Sequence, residues 1–206
     1  MLDQLRKNLI HKRIEFVAQS TPLDTIVGQL YDQILIAINK ISSESKSDIN
    51  TIAFYWPIQH EPDLRSFLIE WRQQSPNHRL CLPVVTKNLP LKFYEWVPHE
   101  TILVESFNSI MEPTNSTELS PDLIIAPCVG WQDSNAKLWR IGFGGGYYDR
   151  TLGNLHLRGL FPWHIGIAFD CQEVVLSDWQ PQSLDQPLDA LVTESRCLFN
   201  LNSKRF

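Results

Sequence analysis

Glycine and methionine are scarce in this chain, its cysteines are unpaired in spacing, and positive charge is not in excess. The 206 residues include nine glycines, two methionines and four cysteines. Cys81, Cys128, Cys171 and Cys197 lie far apart and none forms a Cys-x-x-Cys pair. That excludes the ligand spacing of a structural zinc site. A chain of this length builds a core without disulfide staples, so reduced, partly buried thiols are expected. The six histidines form no metal-ligating spacing either, and no Gly-x-Ser-x-Gly nucleophile elbow is present. Formal net charge is −5, with 18 Lys+Arg against 23 Asp+Glu. The basic field that nucleic-acid binding needs is therefore missing, although a local basic patch could still hold a small anion. No apolar run is long enough to span a bilayer. Charges interrupt every apolar stretch of MLDQLRKNLIHKRIEF, so no signal peptide is expected and the cytoplasm is the expected compartment.

What is present is a globular composition, 43% hydrophobic and 20% charged, which suits one domain spanning residues 1–206. Residues 3–19 read as a helix with Leu5, Leu9, Lys12 and Phe16 along one side and Arg6 and Arg13 nearby. Residues 20–41 read as a second helix, with Ser20 or Thr21 as cap, Pro22 in the first turn, and Ile26, Leu30, Ile34 and Ile38 at helical spacing. A polar loop at 42–48 leads to the β-prone run NTIAFYW, closed by Pro57. Residues 61–74 read as a helix with Pro62 near its start, and 79–85 and 91–96 as strands. Leu123–Ala126 form a continuous apolar run, as in a strand covered on both faces. A helix over 144–155, a strand over 164–170 and short strands at 173–176 and 189–194 complete the pattern. Alternating strands and helices predict an α/β layered fold with a largely parallel sheet. Ligands of such sheets sit beyond the carboxyl ends of the strands. The loops Trp56–Glu61, Pro127–Tyr148 and Asp185–Glu194 are therefore expected to share one cleft.

Four of the nine glycines fall within RIGFGGGYYDR, residues 140–150. Glycine accepts positive φ and close backbone approach, so successive N–H groups in such a turn can converge on an anion. A helix starting just after the turn adds the positive end of its dipole, and Arg140 and Arg150 flank it. The physical reading is a phosphate cradle. It is not a P-loop, because Tyr147 and Tyr148 stand where Lys and Ser or Thr would. It is not a dinucleotide fingerprint, because position 147 is not glycine. Asp149 would repel bound phosphate unless it holds Mg²⁺, which takes one or two protein carboxylates. Asp185, Asp189 and Glu194 offer a second acid.

RIGFGGGYYDR together with PLDALVTE resembles the 5-formyltetrahydrofolate cyclo-ligase family, and LRKNLIHKR and FYWPIQHE resemble that family's basic first helix and its strand carrying a folate-contacting glutamate. The resemblance implies a three-layer α/β/α sandwich and ATP- and Mg²⁺-dependent closure of 5-formyltetrahydrofolate to 5,10-methenyltetrahydrofolate, with release of ADP and phosphate. It implies that Arg6, Arg140, Gly142, Gly144, Gly145, Gly146, Tyr147 and Tyr148 hold ATP, and that Arg140 and Tyr148 act in the transfer. It places Trp56, Glu61, Phe143, Gly144, Gly145, Gly146 and Tyr147 at the folate, and Asp149 and Asp189 at Mg²⁺. Folate and ATP are the implied partners of a monomer. Three positions depart from the family: Leu2 replaces a lysine, Cys128 a glycine after the strand's proline, and Leu138 and Trp139 stand where a glycine usually precedes the motif's arginine. Two other readings stay open: a nucleotide- or folate-binding paralogue without turnover, and an enzyme acting on another phosphorylated or CoA-linked small molecule.

Overall fold

A computed structural model describes residues 2–20, 23–45, 48–175 and 177–200. Its elements run α1 (Leu2–Gln19), α2 (Leu23–Glu44), β1 (Thr51–Ala53), α3 (Arg65–Gln73), β2 (Arg79–Val84), β3 (Lys92–Glu95) and β4 (Leu103–Glu105). They continue with β5 (Met111–Pro113), β6 (Glu118–Leu119), β7 (Leu123–Pro127), β8 (Gly130–Ser134), β9 (Lys137–Ile141), α4 (Tyr147–Leu157), β10 (Trp163–Ile167), β11 (Ala190–Val192) and β12 (Cys197–Phe199).

The period-two alternation of apolar residues gives the sheet two buried faces. Ile52, Leu80, Leu82, Leu123 and Ile125 project to one side, where Leu30, Ile34 and Ile38 of α2 and Leu68 and Trp71 of α3 pack on them. Ala53, Cys81 and Ile124 project to the other, against Leu152 and Leu155 of α4. The result is the expected helix–sheet–helix layering. Strand order is β12-β11-β10-β7-β1-β2-β3-β6. The strands from β11 to β2 are parallel, whereas the β11–β12, β2–β3 and β3–β6 pairings towards the edges are antiparallel. The return from β2 to β3 spans only residues 85–91, shorter than the dozen or so residues a parallel crossover takes.

Several boundaries differ from expectation, each for a local reason. The third helix begins at Arg65 rather than Glu61, because Asp63 Oδ1 accepts the Arg65 N–H at 3.0 Å and Glu61 folds back to accept the Ile58 N–H at 3.0 Å. Glu61 thus stays in the loop after β1. The second helix continues past Ile41 to Glu44, and its expected cap Thr21 and first-turn Pro22 lie outside the described residues. The short strand expected at 173–176 is reduced to one bridge between Glu173 and Trp131, and Leu176 lies outside the described residues. No described helix is long and apolar enough to cross a membrane.

The chain places β2 on one side of β1 and then returns to lay β7 on the other. Loops leaving the carboxyl ends of β1 and β7 therefore diverge and open a crevice between them. The segment expected as one long loop after β7 contains the antiparallel hairpin β8–β9. Its two-residue connection, Asn135 and Ala136, has φ of 54° and 55°, the doubly left-handed form that suits a tight hairpin. Leu9 of α1 packs on this hairpin through Val129 and Ile141, which brings the basic first helix to the crevice.

Alanine at a φ of 55° carries a left-handed penalty of about 1–2 kcal/mol, partly offset by the lower unfolded-state entropy of alanine relative to glycine. Ala136→Gly should stabilise the protein by about 0.5–1 kcal/mol in urea unfolding with an unchanged slope; destabilisation would show that this turn is not held in that form.

Candidate active site

Beyond the carboxyl ends of β1 and β7 lies a cavity of about 840 Å³. The glycine turn forms one wall. It connects Ile141, the last residue of β9, to Tyr147, the first of α4. Gly144 and Gly146 have φ of 99° and 62°, so a side chain at either position would be strained on backbone grounds. Gly142 and Gly145 are needed for space: a Cβ would stand 2.5 Å from Arg140 Nη1 at the first and 2.8 Å from the Tyr147 ring at the second.

Guanidinium groups crowd this turn. Arg6 Nε donates to the Gly142 carbonyl at 3.0 Å, and its Cζ would stand 3.0 Å from a Cβ on Gly144. Arg150 lies over the Tyr147 ring at 4.9 Å and against Gly146. Arg140 lies over the Tyr148 ring at 4.9 Å, with its side chain only 7% exposed. Its Nη2 is 3.5 Å from Asp149 Oδ2, and its Nε is buried without a hydrogen-bond partner. Among the described residues, no amide from Gly142 to Gly146 donates to a protein carbonyl. Gly146 caps α4 without a side-chain bond, so the first-turn amides of the helix are also uncovered. Uncovered amides, a helix N-terminus and three arginines thus stand together at this wall. Burial pushes the Tyr148 hydroxyl well above its ordinary value, with Arg140 opposing, so it is a neutral donor at physiological pH.

A second polar centre sits after β1. The Glu61 side chain is 2% exposed; Oε2 accepts the Ile58 N–H at 3.0 Å and Oε1 has no hydrogen-bond partner. Burial pushes its carboxyl up to about 7, opposed by the Ile58 N–H, Arg13 and Arg140. The Tyr55 hydroxyl donates to the Pro62 carbonyl at 2.7 Å and fixes the same loop. Trp56 lines the cavity under the Arg65 guanidinium, 4.6 Å from its ring. Phe143 lines it too and is 46% exposed at the mouth.

The acidic residues separate. Asp149 lines the cavity, and its Oδ1 accepts the Gln186 N–H at 3.1 Å. Asp189 belongs to the same 185–189 segment, but its Oδ2 accepts the His164 N–H at 2.8 Å and it stays outside the cavity lining. Glu194 bonds the Asp170 N–H, also away from the lining. Among the described residues, no group of three or more His, Cys, Asp or Glu converges on a point. A hexahydrated-type ion such as Mg²⁺ does not need one, since one or two carboxylates with waters and phosphate oxygens suffice. Asp149 fits that donor set.

Comparison with known proteins decides the family. A model of the 5-formyltetrahydrofolate cyclo-ligase family matches residues 3–194. The chain belongs to the 5-formyltetrahydrofolate cyclo-ligase family. The cyclo-ligase of Escherichia coli K12 is 37% identical over 157 residues, covering 71% of this chain and 79% of that protein. That of Mycoplasma pneumoniae is 28% identical over 190 residues, covering 92% and 96%. The NMR structure of Aquifex aeolicus 5,10-methenyltetrahydrofolate synthetase aligns at a TM-score of 0.72 and 26% identity, covering 100% of this chain and 96% of that one.

The departures from the cyclo-ligase pattern are accommodated by packing. Cys128 is buried against Gly166, where a Cβ would stand 2.9 Å from its Sγ. Leu138 is buried with Trp131 and Leu188. Leu2 contributes an apolar side chain to the cavity wall. Nothing in the residue pattern marks Arg13, Tyr55 or Gln186, which hold the site's groups in place; the only signal was the proximity of Arg13 to the apolar stripe of α1.

A carboxyl held at about 7 in the fold against an ordinary 4.5 binds its proton more tightly folded than unfolded. The stability this confers is complete below about 4.5 and is lost as pH rises through about 7. Wild type should therefore lose up to about 3 kcal/mol relative to Glu61→Gln between pH 4.5 and 8 in urea unfolding; parallel pH profiles would contradict the buried, unpaired placement of Glu61.

Proposed function

We propose that this chain closes 5-formyltetrahydrofolate to 5,10-methenyltetrahydrofolate at the expense of ATP, acting as a single-domain monomer in the cytoplasm with Mg²⁺ at the nucleotide. The observation that carries the reading is one cavity holding both an uncovered, arginine-flanked glycine turn and a buried carboxylate with a free oxygen. The first suits a polyphosphate; the second suits the N–H donors of a pterin. The family membership of the chain supports turnover over a binding-only role.

The N-formyl oxygen is a poor leaving group because the amide is resonance-stabilised. Transfer of the γ-phosphoryl group to that oxygen leaves a carbon that N10 attacks; N10 loses its proton, and inorganic phosphate departs as the methenyl bridge forms. Such transfers need positioning and charge neutralisation more than covalent help. In this reading Arg6, Arg140, Gly142, Gly144, Gly145, Gly146, Tyr147 and Tyr148 seat the phosphates, and Arg140 and the Tyr148 hydroxyl follow the charge as it moves. The unpartnered Arg140 Nε is the donor available for a γ-phosphate oxygen. Trp56, Phe143 and Tyr147 pack on the flat ring system while Glu61 orients it. Asp149 would hold Mg²⁺, which would supply neutralisation of phosphate charge; Asp189, whose carboxylate accepts the His164 N–H outside the cavity lining, would join it only by leaving that bond.

Incubation with ATP, Mg²⁺ and 5-formyltetrahydrofolate should produce the near-ultraviolet absorbance of the methenyl product, and ADP only when the folate is present. Asp149→Asn should lower turnover by about 100-fold or more with folate affinity retained. No absorbance rise at any ATP concentration, with both ligands bound tightly, would replace the catalytic reading with the binding-only one.

A further inference from the structure

Among the described residues Arg13 is the largest charged side chain with no exposure at all, and nothing in the phosphate chemistry uses it. From α1 it reaches the loop after β1 and the end of β7 together. Its Nε donates to the Gln59 carbonyl at 3.1 Å and its Nη1 to the Cys128 carbonyl at 3.3 Å. The same Nη1 lies 3.9 Å from Glu61 Oε1, beyond hydrogen-bond range, while Glu61 Oε1 and Arg13 Nη2 both lack partners. An ion pair that is fully buried yet not closed leaves each charge with unused bonding capacity.

The loop Arg13 grips is strained. Gln59 and His60 have φ of 47° and 63°, two consecutive non-glycine residues in the left-handed region. Such a turn persists only when its surroundings hold it. Two ties are internal, between Ile58 N–H and Glu61 Oε2 and between Glu61 N–H and the Ile58 carbonyl. The Tyr55 and Tyr31 hydroxyls hold the loop further along, at the Pro62 and Asp63 carbonyls, and the Arg13 bond to Gln59 ties the strained turn itself. The direction in which Glu61 points is thus tied to a residue of α1.

The geometry points to Arg13 as the positioning residue for folate: it holds the Gln59–His60 turn so that Glu61 faces the cavity. This deepens the reading of Glu61 as the pterin anchor and rests on it. The groups around Glu61 leave the electrostatic task to arginine. Tyr55 at the end of β1, Tyr148 on α4 and Cys128 after β7 are each raised by burial and stay neutral. Arg140 on β9 is the other cation, but it already faces Asp149. Without Arg13 the desolvation that raises Glu61 is less opposed, so the acid form extends to higher pH. A protonated Glu61 loses acceptor capacity toward pterin N–H groups.

Steady-state kinetics of Arg13→Met and Arg13→Lys across pH 5.5–9, with folate and ATP varied separately, test this. Arg13→Met should raise the KM for 5-formyltetrahydrofolate about tenfold at pH 7, leave kcat within about twofold and the KM for ATP unchanged, and move the acid limb of kcat/KM for folate up by about one pH unit. Arg13→Lys should return the limb towards wild type while the folate KM stays raised, because lysine restores the charge and not the fork that spans two carbonyls. An unmoved acid limb in Arg13→Met, or equal effects on both substrates, would overturn the assignment. If Arg13→Met does not fold, an unchanged folate KM in Arg13→Lys overturns it equally. Glu61→Gln separates the two levels: no effect on folate KM removes the anchor itself, whereas a raised folate KM with silent Arg13 variants removes only the role of Arg13.

Discussion

Polar groups buried without a partner are the feature on which this structure turns. A buried donor or acceptor left unsatisfied costs about 1–3 kcal/mol, and close-packed proteins seldom retain several together. Here Arg13 Nη2, Glu61 Oε1 and Arg140 Nε are all orphaned in or beside one cavity, next to a turn whose amides also donate to no protein carbonyl among the described residues. Hydrophobic packing elsewhere offsets that cost, with the sheet buried on both faces by α2, α3 and α4. The groups become useful when a ligand supplies the missing partners: phosphate oxygens for arginine and amide donors, ring N–H groups for the carboxylate. Since those interactions are absent from the free protein, their formation favours the complex, and those that strengthen as charge moves favour the transition state.

The topology puts these groups together. Because β2 and β7 leave β1 on opposite sides, the loop carrying Glu61 and the chain leading to the glycine turn rise from neighbouring strand ends without covering each other. The β8–β9 hairpin then carries Arg140 back over the crevice, and α1 leans on that hairpin and brings Arg6 to the Gly142 carbonyl and Arg13 to the Gln59 carbonyl. One helix therefore reaches both the glycine turn and the loop that carries Glu61.

Much of this could be read from the residues. The Leu123–Ala126 run, the helical spacing of α2 and the alternation of strands and helices mark the layers, and the density of glycine beside Arg140 and Tyr-Tyr-Asp marks the turn that forms one wall of the cavity. What was illegible depends on long-range pairing. The β8–β9 hairpin uses Asn-Ala, not the Asn-Gly that marks such turns, so its residue pattern reads as loop. The antiparallel edges follow from connection length and not from residue type. Glu61 reads as the start of a helix from its Pro62 neighbour, and only the Ile58 contact pulls it into the loop. Arg13 looks like one more surface charge on a basic helix, whereas in the fold it is buried and donates to the Cys128 carbonyl, just after β7 and 115 residues away in sequence.

The central claim is that the free amides of the glycine turn and the orphaned Arg140 Nε seat a polyphosphate. A crystal structure with a non-hydrolysable ATP analogue and Mg²⁺ tests it most directly. The account requires β- and γ-phosphate oxygens within hydrogen-bond distance of amides between Gly142 and Tyr148, with Arg140 Nε now paired. Phosphates bound elsewhere in the cavity, with those amides still facing solvent, would contradict it.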